Sequence, residues 1–134
     1  MLAVLGLSIG ALIGLGVIRW PQTGAAGSDL VCASPTVLDG DTIRCGGDRI
    51  RLAGIDSPEL PGHCRPGRDC TPGDPYAATD NLKRIIGSSK LTCKQSDIDH
   101  YGRIVASCKA GEIDLSCQQL KDGQAVRRYG WIWC

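Results

Sequence analysis

The chain has 134 residues and a formal net charge of +1, with 15 Lys and Arg against 14 Asp and Glu. That length leaves room for one domain, and near-neutrality excludes binding driven by bulk charge, so a polyanion has to be held by a local patch. Phe is absent and aromatic residues make up only 4 % of the chain, so Leu, Ile, Val and Ala must fill the core.

Residues 2–18 carry no charged side chain and are followed by Arg19 and Trp20, an interfacial pair that suits the end of a membrane segment. Residues 1–20 therefore read as a hydrophobic helix, either a retained anchor or a signal segment cut at the small residues of 23–27. Gly6, Gly10 and Gly14 form a small-residue stripe on it, which offers a second reading as a dimerising membrane helix. Residues 21–30 read as a Gly, Ala and Ser-rich linker, and 31–134 as the folded domain.

All eight cysteines follow the apolar segment, and none stands in a Cys-x-x-Cys spacing. An even count in a small exported domain reads as disulfides; the competing readings are a reduced cytosolic protein and a zinc site, for which His63 and His100 lack the spacing. The strand map favours sequence-local pairs: Cys32 with Cys45, Cys64 with Cys70, Cys93 with Cys108, and Cys117 with Cys134. Such bonds place the domain in the cell envelope or outside the cell, tethered or released.

In chain order, a strand at 31–38, the turn dipeptide Asp39-Gly40 and a strand at 42–45 predict a hairpin. After Gly46-Gly47-Asp48, residues 49–52 alternate, with Ile50 and Leu52 facing the core and Arg49 and Arg51 the other side. Residues 58–73, rich in Pro and Gly, form a surface loop. Asp74 then caps a helix with Pro75 at its first position, Ala78, Leu82, Ile85 and Ile86 on one face, and Gly87 as its stop. Strands at 91–94 and 104–108 flank a loop at 97–102, and a second helix at 114–120 ends near Gly123. Five strands with a helix between the third and fourth predict an α+β β-barrel of the OB type, a five-stranded Greek key with two helices.

Taken alone, Asp39-Gly40-Asp41-Thr42 is a turn. Asp56-Ser57-Pro58-Glu59, directly after the strand of Arg51, adds carboxylates at the same barrel edge. Hard cations such as calcium require oxygen donors, which Asp41, Asp56 and the Ser57 carbonyl supply. Arg103, in Asp99-His100-Tyr101-Gly102-Arg103, offers a second guanidinium for a phosphate gripped from two sides. Tyr101 is placed to bond a phosphate and Tyr129 to stack on a base, with rim packing as the plain alternative for each. Asp39 and Asp99 read as turn formers, and His100 as an exposed loop residue.

Asp39 to Thr42, Arg51 to Glu59, and Tyr101 to Arg103 resemble, in order and spacing, three motifs of the thermonuclease (staphylococcal nuclease-like) family, over roughly residues 31–129. The resemblance implies an OB-type barrel and calcium-dependent hydrolysis of DNA or RNA to 3′-phosphorylated products. It further implies Ca2+ held by Asp41, Asp56 and Ser57, Glu59 positioning or deprotonating the attacking water, and Arg51 and Arg103 stabilising the transition state. Ser57 stands where threonine is usual, a change that a backbone carbonyl ligand tolerates. The expected partner is nucleic acid, with the membrane added if the leader is retained; no protein partner is implied, and a monomer is expected. The rival reading is a non-catalytic OB module that binds single-stranded nucleic acid or a protein.

Overall fold

The computed structural model describes residues 29–134, and the predicted leader at 1–20 lies outside them. Among the described residues no helix is long and apolar enough to cross a membrane. The elements are β1 (Asp29–Cys32), β2 (Thr36–Asp39), β3 (Thr42–Cys45), β4 (Asp48–Leu52), β5 (Ile55–Asp56), α1 (Pro75–Ile86), β6 (Leu91–Ile98), β7 (Ile104–Ala110), β8 (Ile113–Asp114), α2 (Leu115–Lys121) and β9 (Val126–Arg127).

Strands β2, β3 and β4 form the antiparallel meander expected from the turn residues. Strand β4 then pairs with β7 in parallel, β6 with β7 antiparallel, and β1 antiparallel with β6. The seven-stranded mixed sheet runs β1-β6-β7-β4-β3-β2 with β8 beside β7, and β5 pairs with β9 in a separate two-stranded ribbon.

The five-stranded expectation is corrected in two places. The strand expected at 31–38 is two, one ending at Cys32 and the next starting at Thr36, with Pro35 between them, which has no N–H to give a ladder. Strand β1 consequently leaves its neighbour and pairs at the far end of the sheet. The short strands β5, β8 and β9, each of two residues, carry no alternation from which sequence could locate them.

Ile43, Ile50, Leu52, Ile55, Leu82, Leu91 and Leu115 are buried in one core, and each such side chain contributes about 1.5–3 kcal/mol over exposure. All four predicted disulfides are present. Cys93 and Cys108 face each other directly in the β6–β7 register, and both are buried with Cys32 in that core. In sheet order β6, β7 and β4 lie between β1 and β3, yet Cys32 bonds to Cys45. The sheet must curl for these strands to meet, which makes it a half-barrel stapled by this bond.

Helix α1 begins as predicted: the Asp74 carboxylate accepts from the N–H groups of Tyr76 and Ala77, and Pro75 occupies the first turn. Gly87, at φ 54°, ends it, and Ala78, Leu82 and Ile86 are buried. Asp114 caps α2 through the Cys117 N–H. Fully buried Gln119 joins the parts: its Nε2 donates to Gly40 O at 2.8 Å and Ala78 O at 3.0 Å, while its Oε1 accepts from Asn81 Nδ2 at 2.6 Å.

Candidate active site

The β2–β3 turn, the end of β4 and the segment after β5 converge on one guanidinium. Arg51, only 8 % exposed, holds Asp41 Oδ1 through Nη1 at 2.6 Å, and through Nη2 it donates to Asp56 Oδ1 at 2.9 Å and Ile55 O at 3.1 Å. The alternation that sends Ile50 and Leu52 into the core turns Arg51 toward these acids.

The acids are fixed from their other sides. Asp41 Oδ2 accepts the Ser57 backbone N–H at 2.8 Å and Oδ1 the Thr42 hydroxyl at 3.0 Å. Asp56 Oδ2 accepts the Thr71 hydroxyl at 2.7 Å. Burial by itself would raise the Asp41 pKa, but the Arg51 guanidinium and the Ser57 N–H outweigh it and hold the carboxyl below its usual range. Asp39 goes the other way: burial first, and then the neighbouring Asp41 carboxylate, push it from 3.8 up to about 7. Asp39 Oδ1 accepts the Asp41 N–H at 3.0 Å, so it also shapes the turn as read from sequence.

Gly40 is needed in this turn for space. Its φ is not in the left-handed region, but a Cβ there would lie 2.7 Å from both the Ala78 Cβ and the Ser57 Oγ. The turn is thereby pressed between α1 and the segment that carries Asp56 and Ser57.

Arg103 arrives from the β6–β7 connection, where Asp99 organises the loop by accepting the backbone N–H groups of Tyr101 at 3.0 Å and Arg103 at 2.9 Å. Asp99 also accepts Arg103 Nε at 2.7 Å. Burial opposes ionisation of Asp99, and these donors outweigh it, so its pKa lies below the ordinary value. Asp41, Arg51, Glu59 and Arg103 line one cavity of about 550 Å³, while Asp56 is buried beneath it at 1 % exposure. Arg51 and Arg103 also line an adjoining cavity of about 310 Å³ that includes Tyr101, Tyr129 and His100. His100 is exposed, as expected, and its ring lies 3.9 Å from that of Tyr101.

The tyrosines act as floors for guanidinium groups. The Tyr129 ring lies 5.4 Å from Arg51 and the Tyr101 ring 5.3 Å from Arg103. Sequence reasoning missed Arg65, Arg68, Thr71 and Arg128. Arg68 binds Glu59 at 2.7 Å and approaches Asp56 at 3.6 Å, and Arg128 approaches Asp56 at 3.5 Å. A loop bracketed by Cys64 and Cys70 immediately after Glu59 was the available signal for the first two.

The donors fit a hard cation in type, since Asp41, Asp56 and Ser57 offer oxygen only. Among the described residues no group of three or more His, Cys, Asp or Glu side chains converges as a metal cluster, so the carboxylate ligands available are the Asp41 and Asp56 pair that Arg51 bridges.

Comparison with known proteins places this arrangement. The sequence model described as "Staphylococcal nuclease homologue" matches residues 49–131, a span that holds Arg51 through Arg103 and leaves Asp41 just outside. The chain is 32 % identical over 108 residues to "Succinoglycan biosynthesis protein ExoI" of Rhizobium meliloti (strain 1021), covering 78 % of this chain and 56 % of that protein. It is 36 % identical over 87 residues to "Probable endonuclease LCL3" of Yarrowia lipolytica (strain CLIB 122 / E 150), with 60 % of this chain and 36 % of that protein covered. A protein of the same name from Nakaseomyces delphensis is 37 % identical over 83 residues, covering 58 % and 30 %. The chain thus spans about half or less of the length of these relatives. With the family match covering most of the described domain and the Asp41–Arg51–Asp56 cluster at its mouth, the chain belongs to the staphylococcal nuclease homologue family.

Proposed function

We propose that the chain is an exported, calcium-dependent phosphodiesterase that hydrolyses DNA or RNA. The observation that carries this reading is the sharing of one cavity by Arg51, Arg103, Glu59 and Asp41, with Arg51 already fixed by two acids. A guanidinium held in this way cannot swing, so its place is set before a substrate arrives. Nuclease chemistry is supported by the family, and the name "probable endonuclease" belongs to two of the relatives.

In this mechanism Glu59 accepts a proton from a water whose oxygen attacks phosphorus, and the bond from phosphorus to the leaving sugar oxygen breaks, that oxygen taking up a proton from solvent to leave as a hydroxyl. Arg51 and Arg103 hold the non-bridging oxygens as their charge grows. Asp41, Asp56 and the Ser57 carbonyl would hold calcium, which adds Lewis-acid stabilisation of the same charge when bound. Four disulfides support an oxidising, extracellular or envelope setting.

The deciding experiment incubates the purified chain with single-stranded DNA in calcium or in chelator, beside Glu59→Gln in calcium. Cleavage confined to the unmodified chain with calcium is expected. Equal products under all three conditions would remove the mechanism.

A further inference from the structure

The loop after Glu59 carries a second pair of arginines whose placement is written in four residues. In Arg65-Pro66-Gly67-Arg68, proline at the second position and Gly67 at φ 80° are what a type II turn requires. The Arg68 N–H closes it onto Arg65 O at 3.1 Å. First and fourth residues of such a turn lie within about 7 Å, so the guanidinium stems leave the backbone side by side. The Cys64–Cys70 disulfide brackets the turn and narrows the conformations open to it.

Each arginine comes to rest on a tyrosine of the cleft. Arg65 Nη1 donates to the Tyr101 hydroxyl at 3.0 Å, its guanidinium 5.1 Å from the ring, and Arg68 Nη2 donates to the Tyr129 hydroxyl at 3.1 Å. Both line the same two cavities as Arg51 and Arg103. Among the described residues Arg65 has no ion-pair partner, while Arg68 holds Glu59 at 2.7 Å. In a chain of net charge +1, the cations lining these cavities are all arginine, the side chain whose planar fork suits phosphate.

We propose that Arg65 and Arg68 form a second phosphate subsite, which binds the phosphodiester adjoining the one held by Arg51 and Arg103 and so favours polynucleotides over small diesters. This rests on the nuclease reading for the identity of the first site. A phosphate that takes Arg68 also competes with Glu59 for it, and frees that carboxylate as the strand seats.

The test measures binding of a fluorescein-labelled single-stranded DNA oligonucleotide to the full chain in chelator, by anisotropy across a salt series. Arg65→Ala and Arg68→Ala are each expected to weaken binding about tenfold and to flatten the log K against log salt slope by about 0.7 per arginine. Arg65→Lys/Arg68→Lys should restore the slope but not the full affinity. With calcium, KM for the oligonucleotide should rise more in these variants than KM for bis(p-nitrophenyl) phosphate, which has a single phosphate. An unchanged slope in Arg65→Ala, whose exposed side chain leaves folding intact, or equal KM increases on both substrates, overturns the subsite. Absence of calcium-dependent turnover of the oligonucleotide by the unmodified chain would instead strike the nuclease reading, and the salt slope would still decide the subsite.

Discussion

At the residue scale, Arg51 and Arg103 share a proposed role but differ in what they support. Arg103 has one carboxylate partner on the cleft rim, whereas Arg51 neutralises two buried acids. Removing one such donor from a transition state typically costs about a hundredfold to a thousandfold in kcat. Arg103→Ala should show that loss with an almost unchanged melting temperature. Arg51→Ala should show it together with about 3–5 kcal/mol of destabilisation, because buried Asp41 loses its guanidinium partner and Asp56 keeps only the longer contacts to Arg68 and Arg128. Steady-state kinetics beside urea unfolding checks both; equal stability of the two variants would refute the distinction.

Asp39 supplies the pH dependence, and the sign follows from its direction. Its folded pKa, about 7, exceeds the ordinary 3.8, so the folded chain binds more protons than the unfolded chain between those values. Stability from this group is therefore complete below about 4 and is lost as pH rises toward 7. Asp41 and Asp99 are shifted down, so their contribution is present above the unfolded value and lost only as pH falls below 3.8. With chelator present, Asp39→Asn should flatten the decline between pH 4 and 7 in urea titrations and leave the acid limb in place.

At the scale of elements, the site depends on how α1 and α2 hold the β2–β3 turn. Gln119 is buried and uses its amide on Gly40, Ala78 and Asn81. Gln119→Leu keeps the volume but strips partners from buried carbonyls, a loss of about 1–3 kcal/mol. Gly40→Ala should cost more activity than its size suggests, since the added methyl meets Ala78 and Ser57 and shifts Asp41. Heat denaturation and calcium-dependent turnover of the two variants separate stability from placement: a Gly40→Ala chain with unaltered turnover would show that the turn tolerates displacement.

These same elements mark how far the sequence could be read. Both helices were legible, the first because its cap at Asp74 and its stop at Gly87 act locally, the second because Gly123 marks its end. The meander was legible because its turns are short and residues 49–52 alternate in type. The departure of β1 was not, since pairing with β6 is a long-range choice that no local pattern states. Likewise Arg51 and Glu59 stood within recognisable motifs, while Arg68 reaches the site only because a turn and a disulfide fold it back over Glu59.

At the scale of the whole molecule, the half-barrel is closed by covalent bonds where hydrogen bonds stop. The sheet has no ladder between β1 and β3, and Cys32–Cys45 spans that gap. A bond over a sequence separation of 13 restricts the unfolded chain by about 3 kcal/mol, a large share of the roughly 5–15 kcal/mol that holds such a domain together. Cys64–Cys70 closes a shorter loop on the surface, so its loss should affect the cleft more than the fold. Cys32→Ser/Cys45→Ser is therefore expected to lower the urea midpoint markedly, and Cys64→Ser/Cys70→Ser to lower it less while weakening oligonucleotide binding. Because the first pair is central to sheet closure and the second to the arginine turn, the reverse order of midpoints would mean that the sheet holds its curl without the staple.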